Sequence, residues 1–372
     1  MELNLTDDQL LIRESAARFV SDRGRPEAGA VGFDRALWGQ MADMGWLSAG
    51  IGEEFGGFGG PVEIALIAEE LGRGSSAGEY LGAAVLGPQL LIASGDAEAR
   101  DRLLSGIVAG ETLLAAAISE PDAAGNLASV STRANSSGAA FRLDGTKTLV
   151  LAGDVADLFI VSARTSGDSG AEPGISLFLV HADATGVSVQ PTPLVDGSSA
   201  ATVVFENAEG QLLGIDGEGF AALTAMAEQA IAAIAAETVG MMEAVAEITA
   251  EYFRSRKQFG MLLGQFQVLQ HRLADMAIDA EMGRATLLVA LATFDLTDPR
   301  IRALRFAGTK AAAGEALRRV TEAGVQAHGG MGMTQEYPVG RYLQRMVVLD
   351  AILGAPAVHL ALCAKTLAEE QA

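Results

Sequence analysis

Cysteine is almost absent from this 372-residue chain, with Cys363 standing alone. No intrachain disulfide framework can form, and a reducing cytoplasmic setting is expected. Histidine is scarce too. His181, His271, His328 and His359 are scattered, and none has a His or Cys partner at the spacing of a zinc site. Basic residues are outnumbered, 26 Lys+Arg against 47 Asp+Glu, for a formal charge of −21. With no surplus of cations to displace phosphate counterions, nucleic-acid binding is excluded, and the acidity is read as solubility. No uncharged apolar run reaches the roughly 18–20 residues of a membrane span. The Ala-rich stretch Ala230–Ala236 comes nearest and is bracketed by Glu228 and Glu237. The opening MELNLTDDQLLIRE carries acids where a secretory leader would carry lysines. Secreted, membrane-spanning and DNA-binding classes fall away together.

What is present is an ordinary globular mixture, 49% hydrophobic and 20% charged, long enough for two or three packed units. Three textures divide it. In residues 1–114 apolar residues recur at helical spacing; Thr6 with Gln9 three positions on is a capping-box signature, and Asp7 and Asp8 suit the positive end of a helix dipole. The glycine cluster Gly52–Gly60 lacks GxGxxG spacing and reads as a loop before a second helix, VEIALIAEELGR. In residues 115–212, short apolar or alternating runs (Leu158–Ala163, Ile175–His181, Val187–Gln190, Ala201–Phe205) are separated by turn clusters, predicting a middle antiparallel β domain. In residues 213–372 the pattern returns to long helices, broken mainly at Ala327–Pro338. The expected class is α+β.

Taken singly, no side chain announces a reaction. Ser119, before Glu120 and Pro121, lacks a nucleophile-elbow context. Two segments stand out. Arg254, Arg256 and Lys257, beside Phe259, are the densest basic patch in an acidic chain. They suit an anionic ligand such as a pyrophosphate, or equally a solvated helix end. The paired glycines of Gln326–Gly332, QAHGGMG, permit close backbone approach by a ligand or simply end a helix.

Four ordered motifs carry a resemblance over essentially the whole chain. EEFGGFGG with AEELGR, ISEPDAAGN (Ile118–Asn126), SRKQFGMLLGQFQVLQHRLADM (Ser255–Met276) and VQAHGGMGMTQEYPVGR (Val325–Arg341) are similar to the opening helical segment, flavin loop, R-x-x-FG…LADM and Q-x-x-GGxGxxxEYPxxR signatures of acyl-CoA dehydrogenases. The resemblance implies a helical domain, a β domain and a C-terminal four-helix bundle that builds a tetramer. It also implies FAD as cofactor, an acyl-CoA thioester as substrate and an electron-transfer flavoprotein as acceptor. In that family a carboxylate removes the proton α to the thioester while the β-hydride passes to the flavin. A neighbouring subunit clasps the pyrophosphate and adenine. By resemblance Arg256 is the pyrophosphate arginine, with Phe259, Leu263, Phe266 and Gln267 continuing its contact row; Gln326, Gly329 and Gly330 are the adenine-side group.

The other half of the site departs from the pattern. The W-I-T-N-G element stands as Leu149-Val150-Leu151-Ala152-Gly153, Asp122 and Asn126 replace a glycine and an aspartate of the flavin loop, and Gln344-Arg345 replace an arginine-aspartate pair. The two known base positions fall on Leu353 and Ala230, neither able to take a proton. Glu228, Glu237 and Asp350 are the candidate displaced bases. The resulting expectation resembles the base-lacking subunit of heterotetrameric (α2β2) steroid side-chain acyl-CoA dehydrogenases: a chain without a catalytic glutamate, completing the FAD site of a homologous partner that has one. A homotetramer with a relocated base and a non-redox acyl-CoA-binding scaffold are the alternatives.

Overall fold

The computed structural model describes residues 5–23, 32–75, 78–137 and 140–369. Helix α1 (Asp7–Arg23) opens on the expected capping box: Thr6 N–H donates to Gln9 Oε1 at 3.0 Å and Gln9 N–H to Thr6 Oγ1 at 3.3 Å. Asp34 caps α2 (Arg35–Asp43) with its carboxylate alone, accepting from the Ala36 and Leu37 amides. The glycine cluster is a loop holding one 3-10 turn (Glu53–Phe55), and VEIALIAEELGR lies within α3 (Pro61–Arg73). A buried π-helical segment (Tyr80–Leu86) runs into α4 (Gly87–Ala93), and α5 (Ala97–Val108) follows.

The middle region is β1 (Leu114–Ala117), β2 (Arg133–Ser137), β3 (Ala140–Leu151), β4 (Leu158–Arg164), β5 (Ile175–His181), β6 (Val187–Pro191) and β7 (Ala200–Leu213). Its order, β1-β4-β2-β3-β7-β5 with β4 also paired to β5, closes the sheet on itself. Most pairs are antiparallel as expected, but β1 and β2 pair with β4 in parallel, so the domain is mixed rather than wholly antiparallel. A strand buried on both faces reads as a continuous apolar run. β4 is such a strand: Phe159, Val161 and Ala163 fill the barrel core while Leu158 and Ile160 join the larger core shared with the helices.

The C-terminal part is α6 (Gly219–Ser255), a hairpin of β8 (Lys257–Gln258) and β9 (Met261–Leu262), then α7 (Gln267–Thr293), α8 (Pro299–His328), α9 (Val339–Ala351) and α10 (Pro356–Glu369). The last two are separated by a bend of 40° and together form the fourth rod of the bundle. α6 is apolar enough to cross a membrane by length and composition alone, but 72% of its most apolar window is buried inside the fold. Its apolar residues are core. Where α6 crosses α3 the backbones touch: a Cβ at Gly72 would lie 2.3 Å from the Glu237 carbonyl oxygen, and one at Gly240 1.9 Å from that of Glu69. Only glycine allows that approach.

Two buried charge clusters fix the domains. Arg345 of α9 donates to Glu237 of α6 at 2.6 and 3.1 Å, and to Asp196 in the β6–β7 connection at 2.9 Å. Inside the barrel, Lys147 donates to Glu120 at 2.7 Å and to Ser162 at 3.0 Å, while the Glu120 carboxylate also accepts from Ser131 and the Thr132 amide. Burial works to raise the Glu120 carboxyl, but the Lys147 charge and these hydrogen bonds outweigh it and hold it down at about 2.

Both clusters give a measurable consequence. Arg345→Met leaves two buried carboxylates without their cation and is expected to cost about 3–5 kcal/mol in denaturant unfolding. Glu120 has a folded value below its ordinary 4.5, so the stability it contributes is complete above 4.5 and lost as pH falls from there toward about 2. Glu120→Gln is expected to flatten the stability–pH curve across that window. An unchanged slope would show that the pair contributes nothing.

Candidate functional site

The basic segment lies where α6 ends. Arg256 is the C-cap, extended at φ −83°, ψ 131°, and the chain then turns back through β8 and β9. Phe259 (φ +52°) and Gly260 (φ +82°) form the tip, both with the positive φ that a two-residue hairpin of type I′ requires. The return is pinned by Leu263 N–H on the Arg256 carbonyl at 2.9 Å and by Gln270 Nε2 on the Gly264 carbonyl at 2.8 Å. Arg254, Arg256 and Lys257 are exposed, with no ion pair among the described residues, and Phe259 is 92% exposed. Among the aromatic rings of the described residues it meets Phe266, edge-on at 6.4 Å between centroids. Leu263 and Phe266 are half-buried at the base of the hairpin, and Gln267, exposed, opens α7.

The glycine segment is reached through aromatic stacking. His328, the last residue of α8, lies 4.4 Å from the Tyr252 ring near the end of α6 and 4.8 Å from Tyr337. Its Nδ1 bonds the Gly324 carbonyl at 2.8 Å, and burial pushes the imidazole below its ordinary value. This stack sets the root of the hairpin beside the turn at Gly329 and Gly330. Gly329 has φ +59°, and a Cβ added at either glycine would meet nothing within 4 Å, so both backbones open onto free space. Gln326, exposed on the last turn of α8, borders a groove of about 580 Å³ with Arg272, Asp279 and Arg319. Arg256, Phe259, Leu263, Phe266, Gln267, Gln326, Gly329 and Gly330, the expected clasp residues, are therefore all exposed or half-buried, and their two segments are joined at the roots through the buried His328.

The other half is closed. Glu120 points into the barrel toward Lys147, while Asn126 accepts from the Ala128 amide and shapes its own loop. Leu149 and Leu151, at the end of β3, face the Ile118–Asn126 loop and the Ile352–Leu353 turn across a void of only about 40 Å³. That is far below the ~300 Å³ of a small ligand pocket. The walls touch: a Cβ at Gly125 would lie 2.3 Å from the Gly354 Cα. Leu353 stands there in a left-handed conformation, φ +56°, and Ala230 is fully buried in α6.

Each displaced carboxylate is engaged. Glu228 receives two bonds from Arg302, one at 3.2 Å; Glu237 receives two from Arg345; Asp350 pairs with Arg318. Asp350 does lie in a helix, α9, but Leu353 is beyond its end. Among the described residues no group of His, Cys, Asp and Glu could hold a metal. Arg345 and His359, which shape this region, carry no signal in the sequence beyond their residue type. The former appears there only as a break in a motif and the latter as one scattered histidine.

The acyl-CoA dehydrogenase N-terminal, middle and C-terminal domain models match residues 6–111, 115–208 and 217–368. The probable acyl-CoA dehydrogenase YngJ of Bacillus subtilis is 29% identical over 99% of this chain and 100% of its own length. Among solved structures, a variant of the Tcur3481-Tcur3483 steroid ACAD is 28% identical with a TM-score of 0.85, covering 98% of this chain and 99% of its own. PigA with FAD and proline is 26% identical with a TM-score of 0.91, covering 99% of both chains. With all three domain models matched in order along a chain of this architecture, the protein belongs to the acyl-CoA dehydrogenase family.

Proposed function

We propose that this chain is the non-catalytic subunit of an α2β2 acyl-CoA dehydrogenase, completing the FAD site of a homologous partner that carries the catalytic glutamate. The observation that carries this reading is the contrast between the two halves of its site: an open clasp and a shut cleft. The exposed cations of Arg254, Arg256 and Lys257 and the glycines that face free space suit the pyrophosphate and adenine of a dinucleotide. The closed cleft does not suit an isoalloxazine ring. FAD, where bound, supplies the hydride-accepting chemistry. On that FAD, Arg256 is assigned to the pyrophosphate by charge, with Phe259, Leu263, Phe266 and Gln267 along the contact row and Gln326, Gly329 and Gly330 at the adenine.

Taking the proton α to the thioester requires a carboxylate whose proton affinity is matched to working pH. Leu353 and Ala230 cannot provide one, and Glu228, Glu237 and Asp350 are each held by an arginine. A relocated base is thereby disfavoured and the partner's glutamate required. A bulky acyl-CoA, with the steroid side-chain thioesters as the class, is favoured by the steroid ACAD likeness. Electron-transfer flavoprotein is the proposed acceptor and the cytoplasm the proposed compartment. Residues 1–114, 115–212 and 213–372 are the proposed functional units.

The test is the flavin content of purified protein. This chain alone, supplied with FAD, is expected to hold close to no flavin, and co-expression with a glutamate-bearing homologue about one per pair. Close to one flavin on the chain alone would overturn the reading. Arg256→Ala should weaken FAD retention by the pair by about tenfold to a hundredfold, the range for losing a hydrogen bond to a charged group. Retention unchanged by Arg256→Ala would point instead to a scaffold without redox function.

A further inference from the structure

The turn that leaves α9 is held from two sides. Lys310 of α8, itself buried, donates to the Leu349 carbonyl at 2.8 Å, satisfying an end of α9 that has no helical partner. Four residues beyond Leu349, the Leu353 carbonyl lies 2.9 Å from Nε2 of His359 on α10. A carbonyl can only accept, so Nε2 carries the proton, and Nδ1 is left buried without a partner among the described residues. Between these two points the chain passes Ile352, then Leu353 and Gly354 at φ +56° and +98°. A branched side chain seldom takes the left-handed conformation unless its surroundings impose it. The Leu353 side chain lines the small residual void with Leu127, Leu149 and Leu151, and Gly354 lies against Gly125 of the facing loop.

We infer that the Ile352–Gly354 turn is a latch that keeps the cleft between the β barrel and the helix bundle shut, and that His359 is its positioning residue. Leu353 supplies the plug and the Gly125–Gly354 contact the closure. His359 acts through the Leu353 carbonyl and fixes the one backbone conformation in which plug and contact coincide. The turn holds the Ile118–Asn126 loop in a single position, where a ligand-taking cleft would leave it free to part. The significance of the latch rests on the reading of this half-site as non-catalytic, while its test reads the full chain by itself.

Hydrogen–deuterium exchange of the full-length chain, followed by mass spectrometry of peptides, provides the test. His359→Ala is expected to speed exchange at least tenfold in peptides covering 121–127 and 352–355, with the hairpin peptide 256–266 unchanged. His359→Gln, which keeps an N–H donor, should restore most of the protection. Leu353→Ala keeps the carbonyl and removes the plug, and is expected to loosen 121–127 as well. Wild-type exchange in both alanine variants, or a rise shared equally by every peptide in both, overturns the latch. Neither result alters the flavin-to-chain ratio expected for the pair, so the two readings fail separately.

Discussion

Arg345 is almost wholly removed from solvent, and its guanidinium meets carboxylates from two other parts of the chain, Glu237 on α6 and Asp196 beside the barrel. A charge so placed is tolerable only when its partners are fixed in good geometry. The same α6 segment that presents Glu237 is the one whose backbone meets α3 at Gly72. Helical layer, barrel and bundle are thus referred to one stretch of α6. The hairpin at the far end of that helix and the shut cleft beside α9 take their relative positions from it.

Legibility in the sequence followed the range of the interaction. Thr6 and Gln9 announce a helix start because a capping box is closed within four residues. β4 and β5 show as apolar runs because the strand itself is buried. β3 does not: its burial is irregular, with Asp144, Gly145, Thr146 and Lys147 in mid-strand. Lys147 in particular looks like a surface residue until Glu120, distant in sequence, arrives beside it. The parallel pairing of β1 with β4 is equally silent, since register between distant strands leaves no local pattern.

The candidate site divides along the same line. Its exposed half consists of contiguous motifs, and contiguous motifs can be read. Its closed half is made of contacts between residues far apart, such as Gly125 with Gly354 and His359 with Leu353. Glu237 appears in the sequence as a free carboxylate seven residues beyond Ala230, and only its pairing with Arg345 removes it from consideration as a base. Substitutions could be counted from the chain alone; that they leave a plugged cleft rather than an enlarged one required the fold.

Phe259 has one further consequence. A phenylalanine at the tip of a hairpin, almost entirely in water, is an adhesive surface on a strongly acidic chain. A copy without a neighbour carries that ring uncovered. A partner that covered the ring would take this apolar surface out of water, and any chain in excess of such a partner would keep it open to chaperones and proteases.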